Sequence, residues 1–282
     1  MAHKAEDVGV YKATKKPLQS FILAITAGIF ISIAFVFYTT VTTGAGDVPY
    51  GMAKFVGGIA FSLGLILVVV CGGELFTSTV LTSVAKASNR ITWGQLTRNW
   101  VTVYFGNMVG AFLFVAMIWF AGQHTAANGE WGINAMKIAQ HKLHHSFFQA
   151  VLLGVLCNLM VCLAVWMTFS CRTVTDKVLV MILPVAMFVA CGFEHSIANM
   201  FMIPIAITIQ TFASPEFWTA TGHTAAEFSD LTLSHFIFAN LIPVTIGNII
   251  GGGLLVGMTY WLIYRRDELK SNAHSSDSVN TH

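Results

Sequence analysis

Two apolar runs in this chain are too long for one ordinary membrane crossing and too short for two, and they constrain the fold more than any other feature. Phe55–Ala85 is 31 residues interrupted only by Glu74, and Val178–Pro215 is 38 residues interrupted only by Glu194 and His195. A helix needs about 20 apolar residues to cross the hydrocarbon. Four other runs meet that length simply: Leu18–Val41, Trp100–Ala121, Phe147–Phe169 and Phe236–Tyr264. Only 10% of the residues are charged, where water-soluble chains carry about 25%. A chain this poor in charge reads as an all-α membrane protein facing the lipid bilayer. Its net charge of +2 leaves no basic footprint for nucleic acid.

A discontinuous helix resolves the two long runs. Each crosses once, with an irregular break beside its glutamate. Such a break is tolerated at membrane depth only where the backbone faces protein or a watery cavity. Charge placement agrees. With six crossings, one side carries Lys4, Lys12, Lys15, Lys16, Lys86, Arg90, Arg98, Arg172, Lys177, Arg265, Arg266 and Lys270, and the other only Lys54, Lys137 and Lys142. Twelve against three puts both termini in the cytoplasm, because basic loops stay inside. The first run is longer than a signal-peptide core and lacks a small-residue cleavage site, so it reads as a retained span. The expected organisation is a cytoplasmic segment 1–17, a channel domain 18–264 and a cytoplasmic polar tail 265–282, disordered from Asp267.

The chain repeats itself. Asn99…Gly106-Asn107…Gly110 lies over Asn240…Gly247-Asn248…Gly251 at an offset of 141, and Cys71-Gly72-Gly73-Glu74 lies over Cys191-Gly192-Phe193-Glu194 at 120. More weakly, Phe21, Ala24 and Gly28 lie over Phe147, Ala150 and Gly154. Three spans per unit is odd, so the second copy must enter upside down. The expected architecture is two inverted three-helix repeats, about 18–121 and 147–264, with discontinuous second and fifth helices. In such folds the solute path runs where the repeats meet, near the midplane.

In this overlay Leu75 falls opposite His195, so the halves differ where a solute would be selected. An ionisable group at membrane depth is costly and is a functional candidate by default. Glu74 and Glu194 recur in both halves and read as structural, their carboxylates accepting from the N–H groups that open the next half-helix. Asn158, Asn248, Asn107, Asn199 and Thr77 can hydrogen-bond a solute or simply another helix. Phe61, Leu65, Phe188 and Leu75 can form an apolar constriction around the histidine. Other features point away from chemistry. The five cysteines show no CxxC pair and read as small buried hydrophobes. His141-x-x-His144-His145 lies outside the membrane and lacks a fourth metal ligand. Gly251-Gly252-Gly253 follows no strand and reads as close helix packing. The sequence requires no cofactor or metal.

The stretches Gly51-Met-Ala-Lys-Phe-Val-Gly-Gly, Glu74-Leu-Phe-Thr-Ser-Thr-Val-Leu, Lys86-Ala-Ser-Asn-Arg-Ile-Thr-Trp-Gly-Gln-Leu and Gly192-Phe-Glu-His-Ser-Ile-Ala-Asn-Met-Phe resemble the formate–nitrite transporter family, with the two Gly-Asn signatures, over about Tyr11–Tyr264. The resemblance implies an aquaporin-like protomer in a homopentamer of the bacterial inner membrane, with one pathway per protomer. It further implies passage of formate, with nitrite and hydrosulfide handled by sister branches. It makes His195 the central pore histidine, Thr77 and Asn158 its polar neighbours and Asn248 another pore-side asparagine. Leu75 and Phe76 then belong to the loop breaking the second span, and Phe61, Leu65 and Phe188 to the constriction.

An anion crossing such a constriction loses its hydration, at several kcal/mol. His195 can offset this as an imidazolium that attracts formate, or as a proton donor that lets formic acid pass. A carboxyl near 3.7 and an unperturbed imidazole near 6.5 differ by about 2.8 units, so full transfer costs about 4 kcal/mol and predicts pH-dependent transport. Two rival classes are weaker. A neutral-solute pore of aquaporin type would show paired Asn-Pro-Ala boxes, absent here. An enzyme would have only Glu74 and Glu194 as paired carboxylates, so the reading is of a transporter.

Overall fold

The computed structural model describes residues 1–269, all helical or irregular with no strand among them. The helices in chain order are α1 (Ala2–Thr14), α2 (Pro17–Thr42), α3 (Tyr50–Cys71), α4 (Phe76–Thr79), α5 (Ser83–Ala87), α6 (Trp93–Phe120), α7 (Glu130–Leu143), α8 (Phe147–Thr168), α9 (Val174–Ala190), α10 (Ser196–Phe212) and α11 (Pro215–Thr221), followed by a final span, 233–264. Local chemistry sets their starts. Pro17 occupies the first turn of α2, where a missing N–H costs nothing. Thr92 with Gln95, Ser146 with Gln149 and Thr173 with Asp176 form reciprocal capping boxes at α6, α8 and α9, each satisfying two otherwise orphaned donors.

Among the described residues, five helical stretches are long and apolar enough to cross a membrane: α2, α3, α6, α8 and Ala225–Tyr264. Both long runs are broken next to their glutamates. α3 ends at Gly72 and α9 runs out at Gly192, with φ +82° and +71°. That left-handed conformation is open to glycine without a Cβ clash. The final span is not uniform. It winds as π-helix over Phe236–Leu241 and Ile249–Met258, and Pro243 follows the first of these, where its missing N–H leaves a carbonyl without its usual donor.

The halves repeat the hydrogen bonds that hold their breaks. Asn107 Nδ2 donates to the Ala24 carbonyl, and Asn248 Nδ2 to the Gly154 carbonyl, both at 2.8 Å. Glu74 N–H donates to Leu23 O and Glu194 N–H to Leu153 O. The first span therefore aligns at an offset of 130, not 126. The overlay of Phe21, Ala24 and Gly28 on Phe147, Ala150 and Gly154 is one helical turn out of register. Small residues recur every turn of a packed membrane helix, so their spacing alone cannot fix the register; the hydrogen bonds at the breaks do. The same offset carries α1 onto α7: residues 5–20 and 135–150 share one pattern of burial throughout. The segment before the first span is thus a packed helix belonging to the repeat.

Two pairs join a residue to its own equivalent. Ser62 Oγ donates to Ile182 O at 3.2 Å, 120 residues on, and Tyr104 and Thr245, 141 apart, share a hydrogen bond of 3.0 Å. A two-fold axis between the halves brings residues that lie on it against their own equivalents, as in these pairs. The axis runs between α3 and α9 and between α6 and the final span. Around it the helices close through small residues, as membrane helices do for lack of a hydrophobic driving force. A Cβ at Gly110 would collide with the Ile25 carbonyl, and one at Gly251 with Val155 O. A Cβ at Gly252 would lie 2.5 Å from both Asn158 Nδ2 and Cys162 Sγ, which makes the first two of the three glycines packing positions, while a Cβ at Gly253 would meet only ordinary contact at 3.7 Å.

Two smaller expectations are corrected. Cys157 and Cys162 are buried, but Cys71 and Cys191 are exposed, each at a helix end beside its glycine. The tail does not lose structure at Asp267: Leu269 N–H donates to Arg265 O in a further helical turn. The expected disorder of 270–282, with Lys270, lies outside the described residues. Arg265 docks α1 instead, donating from Nε to Glu6 Oε2 at 2.7 Å, and Ser88 and Arg90 also bond Glu6. Burial pushes the Glu6 carboxyl up, but the bonds from Arg265, Ser88 and Arg90 outweigh it and hold it below the usual carboxylate range. A lowered value means the contact stabilises above the ordinary carboxylate value of about 4.3 and is lost as pH falls through the folded value. The protection factor of α1 amides against hydrogen exchange, relative to the intrinsic rate at each pH, is therefore expected to fall below about pH 4, and Glu6→Gln should remove that acid step. An α1 protected equally at pH 3 and pH 6 would contradict this account.

Candidate transport site

The two breaks face each other across the axis. Leu75 and His195 occupy the same place, each capping the helix after its break in nearly the same conformation, φ −105° ψ 127° and φ −112° ψ 110°. His195 uses its side chain as the cap: Nδ1 accepts from the Ala198 N–H at 3.0 Å. A ring nitrogen that accepts carries no proton, so the neutral imidazole holds its proton on Nε2. Nε2 meets Thr77 Oγ1 from the other break at 3.0 Å. The Nε2–H therefore donates to Thr77, and the two sites that sequence put together do meet.

Above this pair lies a cavity of about 220 Å³. Its lining includes His195, Phe61 and Phe188, the lysines Lys54, Lys137 and Lys142, and Glu194, which pairs with Lys142. Phe188 lies parallel to the imidazole with centroids 6.1 Å apart, and Phe61 meets Phe188 edge-on at 6.1 Å. Leu65 and Leu75 are buried in the same core. The equivalent space on the opposite side, lined by Lys12, Ser78, Leu81 and Thr82, is only about 20 Å³, with Ala5, Val8 and Gly9 of α1 over it. The described structure is open from the α7 side down to the histidine and nearly filled on the α1 side.

The glutamates and asparagines hold the breaks, in exchanged roles. The N–H groups opening α4 and α10 do not go to glutamate. Phe76 N–H donates to Asn107 Oδ1 and Ser196 N–H to Asn248 Oδ1, both at 2.9 Å. The same two amides donate from Nδ2 to Glu74 O and Glu194 O. An amide offers a donor and an acceptor at once, which a carboxylate cannot, so it can clamp both sides of a broken helix. The carboxylates bind cations. Glu74 holds Lys12 at 2.9 Å and Lys15 at 2.6 Å, and Glu194 holds Lys142 at 2.8 Å. A buried charge persists only when paired in this way.

Asn199 Nδ2 donates to Glu194 Oε2 at 2.6 Å and to Asn240 Oδ1 at 2.7 Å. Asn158 Nδ2 donates to Asn248 O at 2.6 Å, while its Oδ1 is buried without a partner. Asn158 thus has no hydrogen bond to His195 in this structure, and Asn248 spends its amide on the break. Sequence reasoning missed the half-buried partners Lys12, Lys15 and Lys142, which it counted only as loop charge. The signal was present: Lys12-Ala-Thr-Lys15 and Lys142-Leu-His-His145 stand 130 residues apart. Of the three histidines rejected as metal ligands, His144 pairs through Nε2 with Asp230 Oδ2 at 2.7 Å.

The family model described as formate/nitrite transporter matches residues 1–262. The chain is 68% identical over 267 residues to the formate channel FocA of Escherichia coli K12, covering 95% of this chain and 94% of that one. It is 54% identical over 254 residues to FocA of Haemophilus influenzae, covering 90% and 89%. A solved structure described as a pentameric formate channel with formate bound superposes with a TM-score of 0.85 at 62% identity, covering 88% of this chain and 97% of that one. On these matches, with its apolar helices, this is a multi-pass protein of the bacterial inner membrane. The chain belongs to the formate/nitrite transporter family.

Proposed function

We infer that this protein is a homopentameric channel that conducts formate across the inner membrane, one path per protomer, past His195. The cavity carries this reading: lysines line it together with His195, whose imidazole N–H lies between two helix breaks. The charge of Lys54 and Lys137, to which Lys142 adds nothing net while Glu194 pairs with it, concentrates small anions in the cavity. Phe61 and Phe188 close the way past His195 to hydrated ions. A formate oxygen taking the place of Thr77 Oγ1 would receive the Nε2–H, a charge-assisted bond that offsets part of its lost hydration. Transfer of a proton to formate requires His195 to carry a second proton on Nδ1, where the Ala198 N–H now points. Proton-coupled passage therefore involves releasing that cap, whereas passive passage of the anion does not.

The basic-loop count supports six crossings with both termini in the cytoplasm, α3 with α4–α5 and α9 with α10 acting as single broken spans. The α7 side is then periplasmic. The odd number of spans per repeat makes the two-fold lie in the membrane plane, so that the halves are inverted. Exposed apolar side chains such as Phe120, Phe148 and Leu183 suit lipid and neighbouring protomers. Reconstituted protein is expected to pass formate in proteoliposomes, with nitrite and hydrosulfide competing in a pH-dependent order, and to show the mass of five copies in detergent. Flux of glycerol without flux of formate would remove the anion reading. A monomeric mass would remove the pentamer.

A further inference from the structure

The two break glutamates are provided for unequally. Glu74 binds two permanent cations, Lys12 and Lys15. At the offset of 130, Lys142 stands in the place of Lys12 and His145 in the place of Lys15. Lys142 bonds Glu194 at 2.8 Å, but His145 Nε2 stops 3.9 Å from Glu194 Oε1. That is ion-pair distance and longer than a hydrogen bond. Nε2 is buried and has no hydrogen-bond partner, and the side chain is only 17% exposed. One cluster thus keeps a net charge of +1. The other is neutral with an uncharged imidazole and reaches +1 only with an imidazolium.

We propose that His145 is a titratable counter-cation for Glu194, which makes anion entry from the α7 side rise with acidity. This rests on the formate reading above. His145 does not line the cavity, whereas Glu194, Lys142 and His141 do. It is a positioning residue that acts through Glu194. When Nε2 carries a proton, the imidazolium shares the Glu194 charge with Lys142, as Lys15 shares that of Glu74 with Lys12. One positive charge is then left over beside His195. The groups facing His145 are Glu194 from the break, Lys142 and His141 from α7, and its neighbour His144, itself held by Asp230. Burial holds the imidazole below its ordinary value; Glu194 pulls it up, and His141, Lys142 and His144 push it down. The net lowering places the response on the acid side of about pH 6.5.

The test compares formate flux at pH 5 and pH 8 in proteoliposomes holding the wild type, His145→Gln or His145→Lys, with melting in detergent as the control for folding. The ratio of acid to neutral flux is expected to fall roughly tenfold in both variants, the scale on which a focused unit charge changes local anion concentration. His145→Gln should do so by losing flux at pH 5, and His145→Lys by gaining it at pH 8. A merely structural role for His145 would move both variants in the same direction. Formate flux with three coincident pH ratios would overturn this proposal alone. No formate flux from any of the three would overturn the transport reading and this proposal with it.

Discussion

Asn248→Leu is expected to destabilise the folded protein by about 2–6 kcal/mol, and Asn107→Leu by a similar amount, read as melting in detergent. Each asparagine bonds three backbone groups. Those of Asn248 are Gly154 O, Glu194 O and Ser196 N–H. Gly154 lies inside α8 and keeps its helical donor. Glu194 and Ser196 lie at the break, where the regular helix supplies nothing. Leucine, close in size, would leave that carbonyl and that N–H buried and unpaired, at about 1–3 kcal/mol each. The side chain is wholly buried, so water cannot substitute. In the other half Asn107→Leu strands Glu74 O and Phe76 N–H. The effects should add, because the two clamps share no partner. Melting of either variant within about 1 kcal/mol of the wild type would show that the breaks are held by something else.

That clamp shows how far the sequence could be read. The Gly-Asn pairs were visible because both halves spell them alike, and so were the two breaks, because each glutamate interrupts a run of the wrong length. Their partners were not visible. A glutamate and an asparagine beside a helix break can each serve as its cap, and only geometry shows that the amide holds the backbone and the carboxylate holds lysine. Lysines 12, 15 and 142 entered the sequence reading as topology signals, which depend on number rather than position. The register of α2 against α8 was lost for a similar reason: alanine and glycine repeat with the helical turn, so a shift of four looks as good as the true one. The place of α1 in the repeat was hidden because its apolar run is short and broken by charges. What did read through was the exchange of leucine for histidine at one pair of equivalent positions.

Replacing that histidine should have the largest effect on transport. His195→Phe keeps an aromatic ring against Phe188 but removes both the cap to Ala198 and the donor to Thr77. Losing a hydrogen bond to a charged group is worth about 1.5–3 kcal/mol, so formate flux should fall roughly ten- to a hundredfold. His195→Asn separates the two functions. Asparagine is a good N-cap, so α10 should keep its start and its melting temperature. Its amide can also donate to formate, but it cannot take up a proton between pH 5 and 8. Flux through His195→Asn should therefore exceed that through His195→Phe, and should lose the part of the pH response that belongs to the central histidine. The part assigned to His145 should survive in it. If the phenylalanine and asparagine variants both kept wild-type flux and the full pH response, formate would have to cross without help from the imidazole. The exchange of Leu75 for His195 across the axis would then have no bearing on what the protein carries.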